Sequence, residues 1–306
     1  MKAPASLRSV PPIRREPVLG EPAPHDGLRD QAIGHFIRQV RGLSDLEIGE
    51  ILAYQRASGL RFGEAAIALK LATSDDVLWA LSQQFDYPYA AGGDGTSLHS
   101  DLVAATEPFG EDAEAFRELR SQLLMGVLAE GPGRRALAVL SPDVGDGKTY
   151  FAANLAISFS QLGGRTLLVD GDMRTPRQHL LFSVDGEAGL SSILAGRAEA
   201  SVIHQVPGMP TLYVLPVGTL PPNPLELLQR PAAGLLVQEL LTKFDHVIVD
   251  TPAAVHGADS RVLAARSGAA FVIGRRGRTR IRALQSLIGA LTSSQVRMAG
   301  VMLNEL

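Results

Sequence analysis

The apolar positions of this chain change period part-way along. From residue 28 to about 90 they recur three and four apart: Ile48, Ile51, Leu52 and Tyr54, then Ala65, Ile67, Ala68 and Leu71, then Val77, Leu78 and Leu81. That is the spacing of one buried helix face, and it predicts a small helical domain over 28–90. Ser74, ahead of Asp75 and Asp76, is the expected N-cap of the last helix, because its hydroxyl can accept from free first-turn amides. A Gly-rich stretch at 91–97 then reads as part of a flexible linker spanning 91–104. Beyond it the pattern turns to short continuous apolar runs at Ala136–Leu140, Thr166–Val169, Leu212–Leu215, His246–Val249, Ala269–Ile273 and Gly300–Leu303. Strands buried on both faces read this way. Their alternation with helical stretches predicts an α/β domain over 105–306, built on a doubly wound, mostly parallel sheet. Residues 1–27 are rich in Pro, Arg and Gly and poor in large apolar side chains, too poor to offset ordering entropy, so they are expected to be a disordered lead-in.

Composition narrows the function classes. Lys and Arg total 29 against 32 Asp and Glu in 306 residues, so there is no global field to draw the chain to nucleic acid. The absence of cysteine excludes a disulfide framework, a thiolate zinc site and thiol nucleophilic catalysis. The N-terminal arginines are followed by prolines rather than an apolar stretch, which does not fit a secretory signal. No apolar run approaches the roughly 18 to 20 residues needed to cross a bilayer, so membrane association is expected to need a partner.

The candidate chemistry lies where the first apolar run of the α/β domain ends. Ser141-Pro142-Asp143-Val144-Gly145-Asp146-Gly147-Lys148-Thr149 follows a predicted strand and opens an apolar helix from about Tyr150 to Leu162. Gly145 and Gly147 let backbone amides approach phosphate oxygens, Lys148 can reach the β and γ phosphates, and the Thr149 hydroxyl can ligate magnesium. The stretch Val144 to Tyr150 is therefore the expected ATP-binding segment of a P-loop NTPase sheet. Pro142 stands where the general pattern places another glycine. Two further apolar runs end in carboxylates, Asp170-Gly171-Asp172 and Asp250-Thr251-Pro252. In a doubly wound sheet such strand ends converge on the ligand crevice, where Asp residues can support a divalent cation.

With these residues in place, the stretch from about 105 to 306 resembles the bacterial tyrosine autokinases that control polysaccharide chain length, and in particular their EpsG-like branch. The resemblance implies transfer of the ATP γ-phosphate to tyrosine. By it, Lys148 and Thr149 meet phosphates and magnesium, Asp172 and Asp250 join Thr149 in supporting the metal, and Asp170 activates the tyrosine hydroxyl. It also implies a homo-oligomer, a membrane-bound polysaccharide chain-length regulator as partner, and a cytoplasmic place beside the inner membrane. Glu114-Ala115-Phe116-Arg117-Glu118-Leu119-Arg120 is similar to the family's Glu-x-x-Arg-x-x-Arg helix, which makes Glu114, Arg117 and Arg120 an expected subunit contact. Read without the resemblance, the same helix carries solvated i,i+3 pairs. Pro221 to Leu228 matches a family segment preceding a helix.

Two alternatives stay open: a P-loop ATPase switch that controls assembly of an export machinery without kinase activity, and a partition-type ATPase. The latter usually carries a lysine five residues before the loop lysine, where this chain has Asp143. Many family members also carry a tyrosine-rich tail, whereas this sequence ends Asn304-Glu305-Leu306. Tyr87 and Tyr89 are candidate acceptors or packed edge residues. The basic run Arg275 to Arg282 could face phosphate, lipid headgroups, an acidic partner or solvent alone. The helical domain, through Gly59 to Ala66, Leu69 and Ala80 to Gln84, resembles the N-terminal domain of type II secretion and pilus ATPases. Some of those bind cyclic dinucleotides, and a docking module is the alternative.

Overall fold

The computed structural model describes residues 26–84 and 99–305, apart from 130, 132, 198–201 and 295. The bulk of the predicted lead-in, the linker up to residue 98, Tyr87 and Tyr89 lie outside the described residues.

Four helices make the first unit: α1 (Asp26–Arg41), α2 (Asp45–Ser58), α3 (Phe62–Ala68) and α4 (Ser74–Gln84). Ile37, Ile51, Phe62, Ala65, Ala66 and Ala80 form its core, the kind of cluster the helical spacing requires. Helix α1 begins at Asp26, inside the stretch expected to be the lead-in. The cap of α4 is Thr73, not Ser74. The Thr73 hydroxyl accepts from the Asp76 amide at 3.3 Å, and the Asp76 carboxylate accepts from the Thr73 amide at 2.6 Å. Reciprocal capping needs a carboxylate three residues on, and Asp76 stands at that distance from Thr73.

The second unit carries helices α5 (Val103–Thr106), α6 (Glu111–Met125), α7 (Lys148–Ser160), α8 (Gln178–Leu181), α9 (Leu190–Leu194), α10 (Pro224–Gln229), α11 (Pro231–Lys243), α12 (Asp259–Ser267) and α13 (Ile281–Ser293). Its strands are β1 (Ala136–Leu140), β2 (Thr166–Asp170), β3 (His204–Val206), β4 (Met209–Leu215), β5 (His246–Asp250), β6 (Gly268–Arg275) and β7 (Arg297–Asn304). All six apolar runs are strands. The strand missed by the pattern is β3, whose three residues are too few to show a period. Helix α5 also takes Val103 and Ala104 out of the expected linker, since the Ala104 amide donates to Asn154 of α7 at 2.9 Å.

The sheet order is β3-β4-β2-β5-β1-β6-β7, parallel throughout except for the β3–β4 pair. Successive side chains of β1 point to opposite layers. Leu137 and Val139 join Phe151, Leu155 and Phe159 of α7 and Phe116 of α6 on one face. Ala136, Ala138 and Leu140 join Leu240, Leu263 and Leu287 on the other. Helix α7 is buried at every residue from Phe151 to Ser160, because α5 and α6 cover the side turned away from the sheet. A helix so enclosed holds its N-terminus rigidly at the carboxyl end of β1, where doubly wound sheets bind ligands.

Candidate active site

The turn from β1 to α7 is built from backbone and braced from outside. Gly145 and Gly147 take φ of 83° and 99°, the left-handed region that glycine enters without steric cost. A side chain at Gly147 would also collide with the Asn304 amide. Pro142 is compatible with the loop because its carbonyl accepts from the Val255 amide at 3.0 Å, and proline keeps that acceptor. The α7 helix begins at Lys148, two residues earlier than the spacing predicted.

Asp146 is the brace. Its fully buried carboxylate accepts from the Asp143 amide at 3.0 Å and from the Thr279 hydroxyl at 2.8 Å. Its carbonyl accepts from Asn304 Nδ2 at 3.2 Å, and Arg275 Nη1 donates to the Gly145 carbonyl at 3.3 Å. The basic run therefore reaches the phosphate loop: a Cβ at Gly145 would stand 3.1 Å from the Arg278 guanidinium. Thr279 and Asn304 could not be picked out from the sequence, since neither belongs to a local motif. Thr279→Val should leave Asp146 Oδ1 buried and short of a donor, at a cost of about 1 to 3 kcal/mol. Denaturant unfolding should show that loss, with weaker nucleotide binding alongside; unchanged values for both would refute the brace.

The strand-end carboxylates meet beside this loop. Asp170 and Asp250 are in register on neighbouring strands β2 and β5, and both are buried. Gly171 permits the approach, since a Cβ there would lie 2.7 Å from the Asp250 carbonyl. Three amides serve Asp170: Asp172 at 3.1 Å, Arg177 at 3.2 Å and Gln178 at 3.0 Å. Burial, and after it the charge of Asp250, nevertheless raise Asp170 well above the usual carboxylate range. Asp250 is raised to about 6, chiefly by burial, against the lowering effects of Lys148 and of hydrogen bonds from Thr149 and Gln178. Two carboxylates sharing a dry site disfavour double ionisation.

Asp172 is engaged by its own loop. It accepts from the Arg174 amide at 3.1 Å, the Thr175 amide at 3.0 Å and the Thr175 hydroxyl at 2.8 Å. Arg174 in turn pairs at 2.6 Å with Asp259, which is 2% exposed. The Tyr150 side chain turns away from the loop. It packs on Phe116 with ring centroids 6.2 Å apart, and burial, helped by Asp112, Asp101 and Glu107, raises its phenol to about 12. Any nucleotide contact at Tyr150 therefore belongs to its backbone.

The site fits a magnesium ion accompanied by phosphate. Asp250 Oδ1 is buried without a hydrogen-bond partner, and the neighbouring donors are a hydroxyl and carboxylates, the hard oxygen set that magnesium prefers. Among the described residues no three His, Asp or Glu side chains gather closely enough to hold an ion alone. Magnesium usually takes one or two protein oxygens and completes its shell with phosphate and water.

The helix expected to meet a neighbouring subunit also serves its own fold. Arg117 pairs with Glu114 at 2.6 Å and donates to the Pro108 carbonyl, also at 2.6 Å. Arg120 Nη1 donates to the Ser158 carbonyl at 2.5 Å, tying α6 to α7. The Glu114 side chain stays 70% exposed. Among the described residues no helix is long and apolar enough to cross a membrane.

No protein-family model matches the chain. It is 35% identical over 208 residues to the putative tyrosine-protein kinase EpsB of Ralstonia solanacearum, covering 67% of this chain and 27% of that protein. It is 33% identical over 168 residues to the putative tyrosine-protein kinase CapB of Staphylococcus aureus, covering 55% of this chain and 73% of CapB. Among solved structures, the kinase domain of Escherichia coli tyrosine kinase ETK matches with a TM-score of 0.63 and 30% identity, over 68% of this chain and 80% of that one. The chain thus spans about a quarter of the length of EpsB and most of CapB. With the phosphate loop set beside two buried strand-end carboxylates and these relatives matched, the chain belongs to the bacterial tyrosine-protein kinase family.

Proposed function

We propose that this chain is a magnesium- and ATP-dependent protein tyrosine kinase. The observation that carries the reading is the convergence of Lys148 and Thr149 with the buried pair Asp170 and Asp250, one of whose oxygens has no partner. Lys148 and the loop amides from Val144 to Tyr150 hold the phosphate oxygens. Thr149 and Asp250 are the groups that would hold magnesium, which neutralises charge on the transferring phosphoryl group when bound. Asp172 supports it by fixing the 171–175 loop.

In the transfer, the tyrosine Oη forms a bond to the γ-phosphorus while the bond to the β,γ-bridging oxygen breaks, and ADP leaves. The hydroxyl proton passes to the carboxylate form of Asp170, whose proton affinity is raised by burial and by the charge of Asp250. Three amides already serve Asp170, two on Oδ2 and one on Oδ1, which leaves Oδ1 an acceptor position for the hydroxyl. Catalytic hydrogen bonds often form only in the reacting complex.

The resemblance of the phosphate loop and of the Glu114, Arg117 and Arg120 helix to the polysaccharide autokinases supports the wider reading: a kinase that works with a membrane-bound polysaccharide chain-length regulator, assembled as an oligomer through the exposed Glu114 face of α6. Incubation with magnesium ATP and the regulator, followed by mass spectrometry, should show phosphotyrosine. ATP hydrolysis with no phosphotyrosine would overturn the kinase reading in favour of an assembly switch.

A further inference from the structure

Gln178 bonds to three parts of the site, yet no step of the transfer uses its side chain. It is fully buried at the first position of α8. Its backbone amide donates to Asp170 Oδ2 at 3.0 Å. Its side-chain Nε2 donates to Asp250 Oδ2 at 2.9 Å and to the Thr149 carbonyl at 3.2 Å. One residue thus bonds the β2 carboxylate, the β5 carboxylate and the first turn after the phosphate loop.

The orientation of the amide follows from its neighbours. Both groups near Nε2 are acceptors, so the swapped orientation would set oxygen against oxygen twice. Oε1 consequently points elsewhere, and it is buried with no partner, as is Asp250 Oδ1. An unpaired buried carbonyl is costly. Two such oxygens on hydrogen-bonded neighbours, beside a phosphate loop, describe a place that a hydrated cation would satisfy.

We propose that Gln178 is a positioning residue for the metal side of the site: its amide locks the Thr149 turn to the Asp250 carboxylate, and its Oε1 accepts from a water that enters with magnesium. The inference rests on the magnesium-ATP reading above. Residues that orient a metal ligand typically change metal affinity about 10- to 100-fold when replaced. Gln178→Met keeps the volume and removes both hydrogen-bonding ends. Gln178→Asn keeps the amide but is one methylene too short to span both partners.

The test is titration of a fluorescent ATP analogue against the full chain, with magnesium and with chelator, alongside thermal melting. Both variants should bind the analogue in chelator as the unsubstituted chain does, and should need about tenfold more magnesium for the enhancement of binding. An unchanged magnesium requirement in either folded variant would overturn the inference. If Gln178→Met fails to fold, Gln178→Asn decides alone. An unsubstituted chain without magnesium enhancement would defeat the magnesium-ATP reading itself, a result distinguishable from failure of the Gln178 role.

Discussion

Lys148→Met is expected to lower phosphotyrosine formation on the order of 10³-fold, since removal of one preorganised group aimed at developing charge costs about 10² to 10³ in rate. The side chain is only 6% exposed, and methionine fills much the same volume, so the loss should be electrostatic. A second effect follows from its surroundings. Lys148 is the charge that holds Asp250 down against burial, and without it Asp250 takes up a proton more readily. Lys148→Met should therefore lower thermal stability at pH 8, where the pair is forced to ionise, and much less at pH 5. A variant with near-normal phosphotyrosine yield would sink the assignment of Lys148 to the phosphates.

Asp250→Asn should act in the opposite sense on stability. The folded-state pKa of Asp250 is raised from the unfolded value of 3.8 to about 6, so between these values the folded chain binds the extra proton. Stability from this group is fully present below pH 3.8 and is lost as pH rises through about 6. Above that the buried charge costs about 1 to 3 kcal/mol, the upper end being the full difference between the two pKa values converted to free energy. Asparagine keeps an oxygen for Gln178 and removes the charge. The nucleotide-free variant should therefore melt several degrees higher at pH 8 and nearly as the unsubstituted chain at pH 4. Kinase activity should fall with the gain in stability, as expected where a site is held under electrostatic strain. A lower melting temperature at pH 8 would show that the pair is not strained.

Stability and chemistry thus oppose one another at a single pair of positions. The two carboxylates sit closer, and drier, than a stable fold requires, and Lys148 offsets part of that cost. A bound cation would offset more, because a ligand that prefers the folded state stabilises it by mass action. Magnesium with ATP should accordingly raise the melting temperature of the unsubstituted chain more than that of Asp250→Asn.

The sheet and the phosphate loop were legible in sequence for local reasons. Strands buried on both faces must be apolar without interruption, so Ala136–Leu140 and its counterparts announced themselves. The loop needs glycine where φ is positive and a lysine at the helix start, and Gly145, Gly147 and Lys148 stand in that pattern. Elements too short to carry a period, such as His204–Val206, were invisible, and the cap of α4 fell on Thr73 because two hydroxyl residues stood side by side.

The sequence by itself determined which residues can bind a phosphate and which strands end in carboxylates, since both follow from neighbours along the chain. Only the tertiary structure decided what those residues do. It turned Asp172 into its own loop, sent Tyr150 towards Phe116, set Asp146 as a brace for Thr279 and Asn304, and put Gln178 between Thr149 and Asp250. The physical reason is that burial and hydrogen-bond partnership depend on segments up to 158 residues apart, and no local pattern records them.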